Sequence, residues 1–117
     1  MIRMYGIPNC DVVKKASSWL QKNNIPFEFH DYKKEGAPPS ELEQWCEQKG
    51  WETIFNKRSS TWKELVAAGQ PGVNNSQEAI ELMTANTSII KRPIIETGNE
   101  ILVGFNESEY NHQLIKK

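Results

Sequence analysis

The sequence predicts an α/β fold: a four-stranded mixed sheet flanked by helices, with a helical insertion between a βαβ part and a ββα part. Three observations predict it. A strand, an amphipathic helix and an alternating strand fit within the first 32 residues. No strand alternation is visible across residues 51–90. A hairpin signal followed by a capped helix closes the chain. At 117 residues the chain suits a single domain, 1–117, with the insertion at about 51–90, and it is long enough for one core without disulfide staples.

The elements follow in order. Met1 to Tyr5 form a short apolar segment, and Gly6-Ile7-Pro8-Asn9 breaks it. Val12, Val13, Ala16, Trp19 and Leu20 then recur at helical spacing, with lysines, serines and Gln21 opposite. Asn9 is the expected N-cap, and Asn23-Asn24 with Pro26 ends the helix. Phe27-Glu28-Phe29-His30-Asp31-Tyr32 alternates as a second strand, parallel to the first through a right-handed crossover. A loop over 33–39 leads to Ser40, which with Glu43 reads as a capping box. Leu42, Trp45 and Cys46 share one face of that helix, and Gly50 sits at its stop.

Within the insertion, Thr61 and Glu64 read as a second capping box for a short helix through Leu65 and Val66. Asn75 is placed to cap a helix carrying Ala79, Ile80 and Met83 on one face. Pro93-Ile94-Ile95-Glu96 and Ile101-Leu102-Val103 flank Thr97-Gly98-Asn99-Glu100, a hairpin in which Gly98 takes the positive φ. Asn106 caps the last helix, with Glu109 at its third position and Tyr110, Leu114 and Ile115 as its apolar side. A parallel βαβ half followed by a ββα half is the thioredoxin-like arrangement.

Composition excludes several classes. Fourteen basic against fifteen acidic residues, net −1, argue against a nucleic-acid partner. No apolar run is long enough to span a membrane, and the first residues lack a signal-peptide pattern. Two cysteines do not make a disulfide framework; they read as thiols of a cytoplasmic protein. His30 and His112 have no metal-ligand spacing, so no metal is expected. There is neither a phosphate-loop lysine pattern nor a dinucleotide glycine fingerprint.

Cys10 carries the chemistry most directly. It follows a strand and opens a helix, where unpaired N–H groups and the helix dipole favour a thiolate. Position alone leaves two readings open, a reactive thiolate and a small buried residue. Cys46, on an apolar helix face beside Trp45, reads as an inert core thiol. Arg58, in Asn56-Lys57-Arg58-Ser59-Ser60, and Arg92, directly before Pro93, are candidate anion clamps because a guanidinium fork suits an oxyanion or carboxylate. By themselves they favour the plainer reading of two solvated surface arginines. Asn9 joins them as a candidate anion-binding residue beside Cys10. The four tryptophans read as packing residues.

These residues add up to a resemblance. Tyr5-Gly6-Ile7-Pro8-Asn9-Cys10-Asp11, Lys14-Lys15-Ala16, Phe29-His30-Asp31-Tyr32, Asn56-Lys57-Arg58-Ser59-Ser60-Thr61-Trp62, Ile90-Lys91-Arg92-Pro93-Ile94 and Leu102-Val103-Gly104-Phe105 resemble the ArsC-type arsenate reductase family over nearly the whole chain. Within that family they are most similar to the Spx/MgsR group and the bacterial YffB-like proteins. The resemblance implies a thioredoxin-like core with a helical insertion and a cis bond before Pro93. It implies that Cys10 is the nucleophile and that Arg58 and Arg92 are two of three oxyanion-binding arginines. The third position is Phe105, and losing one guanidinium weakens the case for arsenate, which the family reduces with glutathione and glutaredoxin. Spx-type regulators bind the C-terminal domain of the RNA polymerase α subunit. They use a Cys-x-x-Cys switch, but the second switch position here is Val13. The YffB-like branch implies a glutathione-dependent thiol reductase with no bound cofactor and glutathione as co-substrate. In it, an arginine holds a glutathione carboxylate and the backbone at Pro93 pairs with the extended peptide. Three functions therefore stand: thiol reductase, transcriptional regulator and arsenate reductase.

Overall fold

A computed structural model describes residues 2–98 and 100–115. Met1, Asn99, Lys116 and Lys117, which the sequence pattern places in the first strand, the hairpin turn and the C-terminal end, lie outside the described residues. The chain divides into two compact units, Met1–Asp31 with Arg92–Lys117, and Tyr32–Lys91.

The first unit holds the sheet. β1 (Ile2–Gly6) leads through α1 (Asp11–Lys22) to β2 (Phe27–Asp31). The second unit follows as α2 (Tyr32–Glu35), α3 (Pro39–Lys49), α4 (Trp51–Ile54), α5 (Ser60–Ala67), α6 (Ser76–Ala85) and a 3₁₀ turn at Thr87–Ile89. The chain then returns as β3 (Ile94–Glu96), β4 (Ile101–Val103) and α7 (Glu107–Leu114). Strand order is β2-β1-β3-β4, with β1 parallel to β2 and the other pairs antiparallel. This is the mixed thioredoxin-like sheet.

Register explains the core. Met4 pairs with Ile95, and Ile95 with Leu102, so three apolar side chains line up across one face. Val13, Ala16 and Leu20 of α1 and Tyr110 of α7 pack onto them in a single buried cluster. Val12, read from sequence as part of the apolar face, is 40% exposed. Residues 13, 16 and 20 already define the buried stripe, and one residue back rotates Val12 by about 100° out of it. Ile115 is likewise 49% exposed, because α7 ends at Leu114.

Helix starts divide into two kinds. The Asn75 and Asn106 side chains each accept a hydrogen bond at 2.9 Å, from the N–H of Glu78 and Glu109 respectively. The capping boxes at Ser40 and Thr61 do not form: α3 begins at Pro39 and α5 at Ser60, so both residues lie inside their helices. Proline at the first helical position needs no N–H partner there, which moves the start of α3 forward. Segment 33–35, expected as loop, completes the short α2.

In the helical unit Leu42, Trp45 and Cys46 of α3 are buried, as are Ile54, Phe55, Ala79, Met83, Ile89 and Ile90. Phe55 takes Trp51 and Trp62 edge-on, at ring distances of 6.0 and 5.0 Å. A single antiparallel bridge joins Phe55 to Ile90. Among the described residues no helix is long and apolar enough to cross a membrane.

Candidate active site at the start of helix α1

Tyr5 pairs with Ile94 in the antiparallel β1–β3 ladder. The residues leaving β1 and those entering β3 therefore lie at one end of the sheet. This brings Cys10 and Arg92, far apart in sequence, into one neighbourhood. Gly6 makes the approach close: a methyl group built on it would stand 2.9 Å from Val13 Cγ2 and 3.8 Å from Arg92 Cβ. Gly6 went unremarked as a packing residue in the sequence, although a glycine leaving a strand beside a helix start is the available signal.

Cys10, not Asn9, is the N-cap of α1, with extended backbone at φ −117° and ψ 127°. Its carbonyl accepts the Lys14 N–H at 2.9 Å. Asn9 is exposed in the preceding turn. The Cys10 side chain is partly exposed. Partial burial pushes its thiol up, but the backbone N–H groups of Val13 and Val12 and the Arg92 guanidinium outweigh it, and the thiol settles below its ordinary value. The thiolate is thus easier to form than from an ordinary cysteine, at a partly exposed position. Val13 is 2% exposed and packs into the core, so the position three residues after Cys10 is apolar and closed.

Arg92 is held from behind. The Arg92–Pro93 peptide bond is cis. The Pro93 carbonyl accepts the Gly104 N–H at 2.8 Å. Gly104 has φ of 78°, which favours glycine, and its carbonyl accepts the Tyr110 hydroxyl at 2.6 Å. Tyr110 is fully buried, so this chain of bonds ties the Arg92–Pro93 segment to α7. Burial and the neighbouring Glu109 push the Tyr110 hydroxyl far up, so it stays a donor. Phe105 is half-buried and packs edge-on against the Tyr110 ring at 5.0 Å.

Arg58 belongs to the helical unit. It is exposed, and its backbone N–H donates to Asn56 Oδ1 at 3.1 Å in the turn that opens α5. Cys46 is buried on α3; burial pushes its thiol up, and the Ser76 side chain offsets this in part. Among the described residues no cluster of three or more histidine, cysteine or carboxylate side chains is arranged to hold a metal ion.

Comparisons with known proteins agree with this architecture. The ArsC family model matches residues 5–113. An uncharacterized protein of Haemophilus influenzae is 44% identical over 113 residues, covering 94% of this chain and 96% of that protein. A global transcriptional regulator Spx of Lactiplantibacillus plantarum is 29% identical over 120 residues, covering 100% of this chain and 89% of its own. The solved structure of a YffB protein superimposes with a TM-score of 0.90 at 40% identity, covering 96% of this chain and 97% of that one. With the family model matching almost from end to end and Cys10 and Arg92 brought together at the start of α1, the chain belongs to the ArsC family.

Proposed function

We propose that this chain is a glutathione-dependent thiol reductase with Cys10 as its single nucleophile, working in a reducing cytoplasm. The observation that supports it is the partly exposed Cys10 at the start of α1 beside Arg92, with the closed, apolar Val13 where a second thiol would stand. A lone activated thiol suits chemistry in which the second thiol comes from solution.

The steps balance as follows. The Cys10 thiolate attacks the glutathionyl sulfur of a mixed disulfide, R–S–S–glutathione. The Cys10–glutathione disulfide forms, and R–S⁻ leaves and takes a proton. The thiolate of a second glutathione attacks the Cys10–glutathione disulfide at the glutathione sulfur. Oxidised glutathione leaves, and the Cys10 thiolate is regenerated. One disulfide is reduced and two glutathione sulfurs end joined. Low basicity makes Cys10 a good leaving group in the second step. Arg92 or Arg58 would hold a glutathione carboxylate, with Asn9 a further anion-binding residue next to Cys10 in the chain. The backbone at Pro93 would pair with the extended tripeptide, and glutaredoxin is the further partner in this reading. No bound cofactor is needed.

Alkylation rate against pH and mass spectrometry after exposure to oxidised glutathione test the proposal. A depressed thiol titration and a glutathione adduct on Cys10 are expected; an ordinary titration with no adduct refutes it. The Spx relative favours a second reading, a regulator that binds the C-terminal domain of the RNA polymerase α subunit. Capture of that domain by both the wild-type chain and Cys10→Ser, without thiol turnover, would establish it instead. With Phe105 in place of a third guanidinium, arsenate turnover with glutathione and glutaredoxin is expected to be absent.

A further inference from the structure

The exposed side of α1 carries a feature that the thiol chemistry does not use. A cavity of about 400 Å³ is lined by Lys14, Lys15 and Lys22, by Trp19 and Phe105, and by Glu107 at the start of α7. Three ammonium groups face one carboxylate there, in a chain whose overall charge is −1. Among the described residues none of the three lysines has an ion pair. The floor is aromatic and held in place: Trp19 and Phe105 both pack edge-on against the buried Tyr110, at 5.5 and 5.0 Å. Positive rim and rigid apolar floor together suit an acidic segment that also carries an apolar side chain.

Length narrows the occupant. The cavity starts one helical turn from Cys10, whose carbonyl accepts the Lys14 N–H. From Lys14 to Lys22 it runs about 12 Å along α1, the span of roughly four extended residues. Lys22 lies about 18 Å along the helix from Cys10. Glutathione, with its cysteine in the middle, extends roughly 10 Å from its sulfur at most. A ligand that delivers sulfur to Cys10 and also reaches Lys22 is therefore longer than glutathione.

We propose that the cavity lined by Lys14, Lys15, Lys22, Trp19 and Phe105 docks an acidic peptide segment of a protein whose cysteine, held as a mixed disulfide with glutathione, is the substrate of Cys10. The proposal rests on the thiol-reductase reading and adds the substrate class. In it glutathione is the group removed and the second thiol, while the protein supplies specificity. Charge complementarity at exposed lysines acts mainly on encounter, so the preference weakens as salt screens it.

The test uses two glutathionylated peptides, identical except that one carries Glu and Asp beside a leucine where the other carries lysines. A small uncharged thiol in mixed disulfide with glutathione is the third substrate. Turnover is measured for the wild-type chain and for Lys15→Glu/Lys22→Glu, both exposed positions. Lys14 is left intact because it stands one helical turn from Cys10, where a new carboxylate would oppose the thiolate on every substrate. The acidic peptide should be preferred, and the double variant should lower its kcat/KM by about tenfold while raising that of the basic peptide. The small substrate should be unchanged. Equal turnover of the two peptides, or an equal loss on all three substrates, overturns the docking site while leaving the reductase standing.

A labelled acidic peptide without cysteine is also titrated into Cys10→Ser. Binding there, with no turnover of any disulfide by the wild-type chain, supports the docking site and removes the reductase reading. Absence of peptide binding alongside binding of a single-stranded oligonucleotide overturns the proposal in favour of a nucleic-acid partner.

Discussion

Gly6→Ala tests the packing that seats the candidate site. The new methyl would stand 2.9 Å from Val13 Cγ2 and 3.6 Å from Val13 Cγ1. Carbon atoms prefer about 3.5–4.0 Å, so one of them must move. Val13 has little freedom: it is 2% exposed and packed with Met4, Ala16 and Ile95. Overpacking of this kind costs about 1–3 kcal/mol. Alanine restricts the unfolded chain and returns about 0.4–1 kcal/mol. The net loss is about 1–2 kcal/mol, a fall in Tm of roughly 4–8 °C for a domain of this size. Val13→Ala alone removes two buried methyl groups and should cost about 2 kcal/mol or more. The double variant relieves the clash and partly fills the hole, so it should be more stable than the sum of the singles by about 1 kcal/mol. Urea melts of the three variants by circular dichroism measure this, and Cys10 alkylation rates show whether the helix start moved with Val13. Wild-type stability of Gly6→Ala, or strict additivity in the double variant, would refute the close-approach argument.

Three further outcomes follow from the same structure. The folded Cys10 thiol titrates below its unfolded value, so its stabilising contribution is complete above the unfolded value and is lost as pH falls through the folded one. The stability gap between the wild-type chain and Cys10→Ser should therefore widen as pH rises through that window, and Arg92→Met should narrow it; pH-dependent denaturation curves read both. Cys46, buried and pushed up, should resist iodoacetamide at mildly alkaline pH until urea unfolds the chain, while Cys10 reacts in the native state, as peptide mass mapping would show. Asn106→Ala removes the acceptor of the Glu109 N–H at the start of α7 and should cost about 1 kcal/mol in a thermal melt, with Asn106→Asp recovering most of it.

Local chemistry made much of this molecule legible. Asn75 and Asn106 cap because the side chain and the N–H it serves are three residues apart, a relation sequence spacing contains. Gly98, with φ of 105°, turns the β3–β4 hairpin as its neighbours required. The same logic failed at Ser40 and Thr61. There a residue one step earlier began the helix, and nothing in the local pattern ranks Pro39 against Ser40. At Val12 the pattern admitted five apolar positions on α1, whereas the sheet had room for a stripe of three buried residues.

By itself the sequence determined the kinds and order of elements and named Cys10, because a helix start lowers a thiol through groups only two or three residues away. It could not determine what else reaches that thiol. Arg92 acts on Cys10 because β3 folds back antiparallel to β1 in one register. The Gly104 and Tyr110 bonds then hold the chain behind it. Likewise Lys22 and Phe105 line one cavity because α7 packs beside α1 on the same sheet face. Pairing register and helix docking are decided by burying apolar surface across the whole chain, a sum over distant residues that no window of neighbours contains.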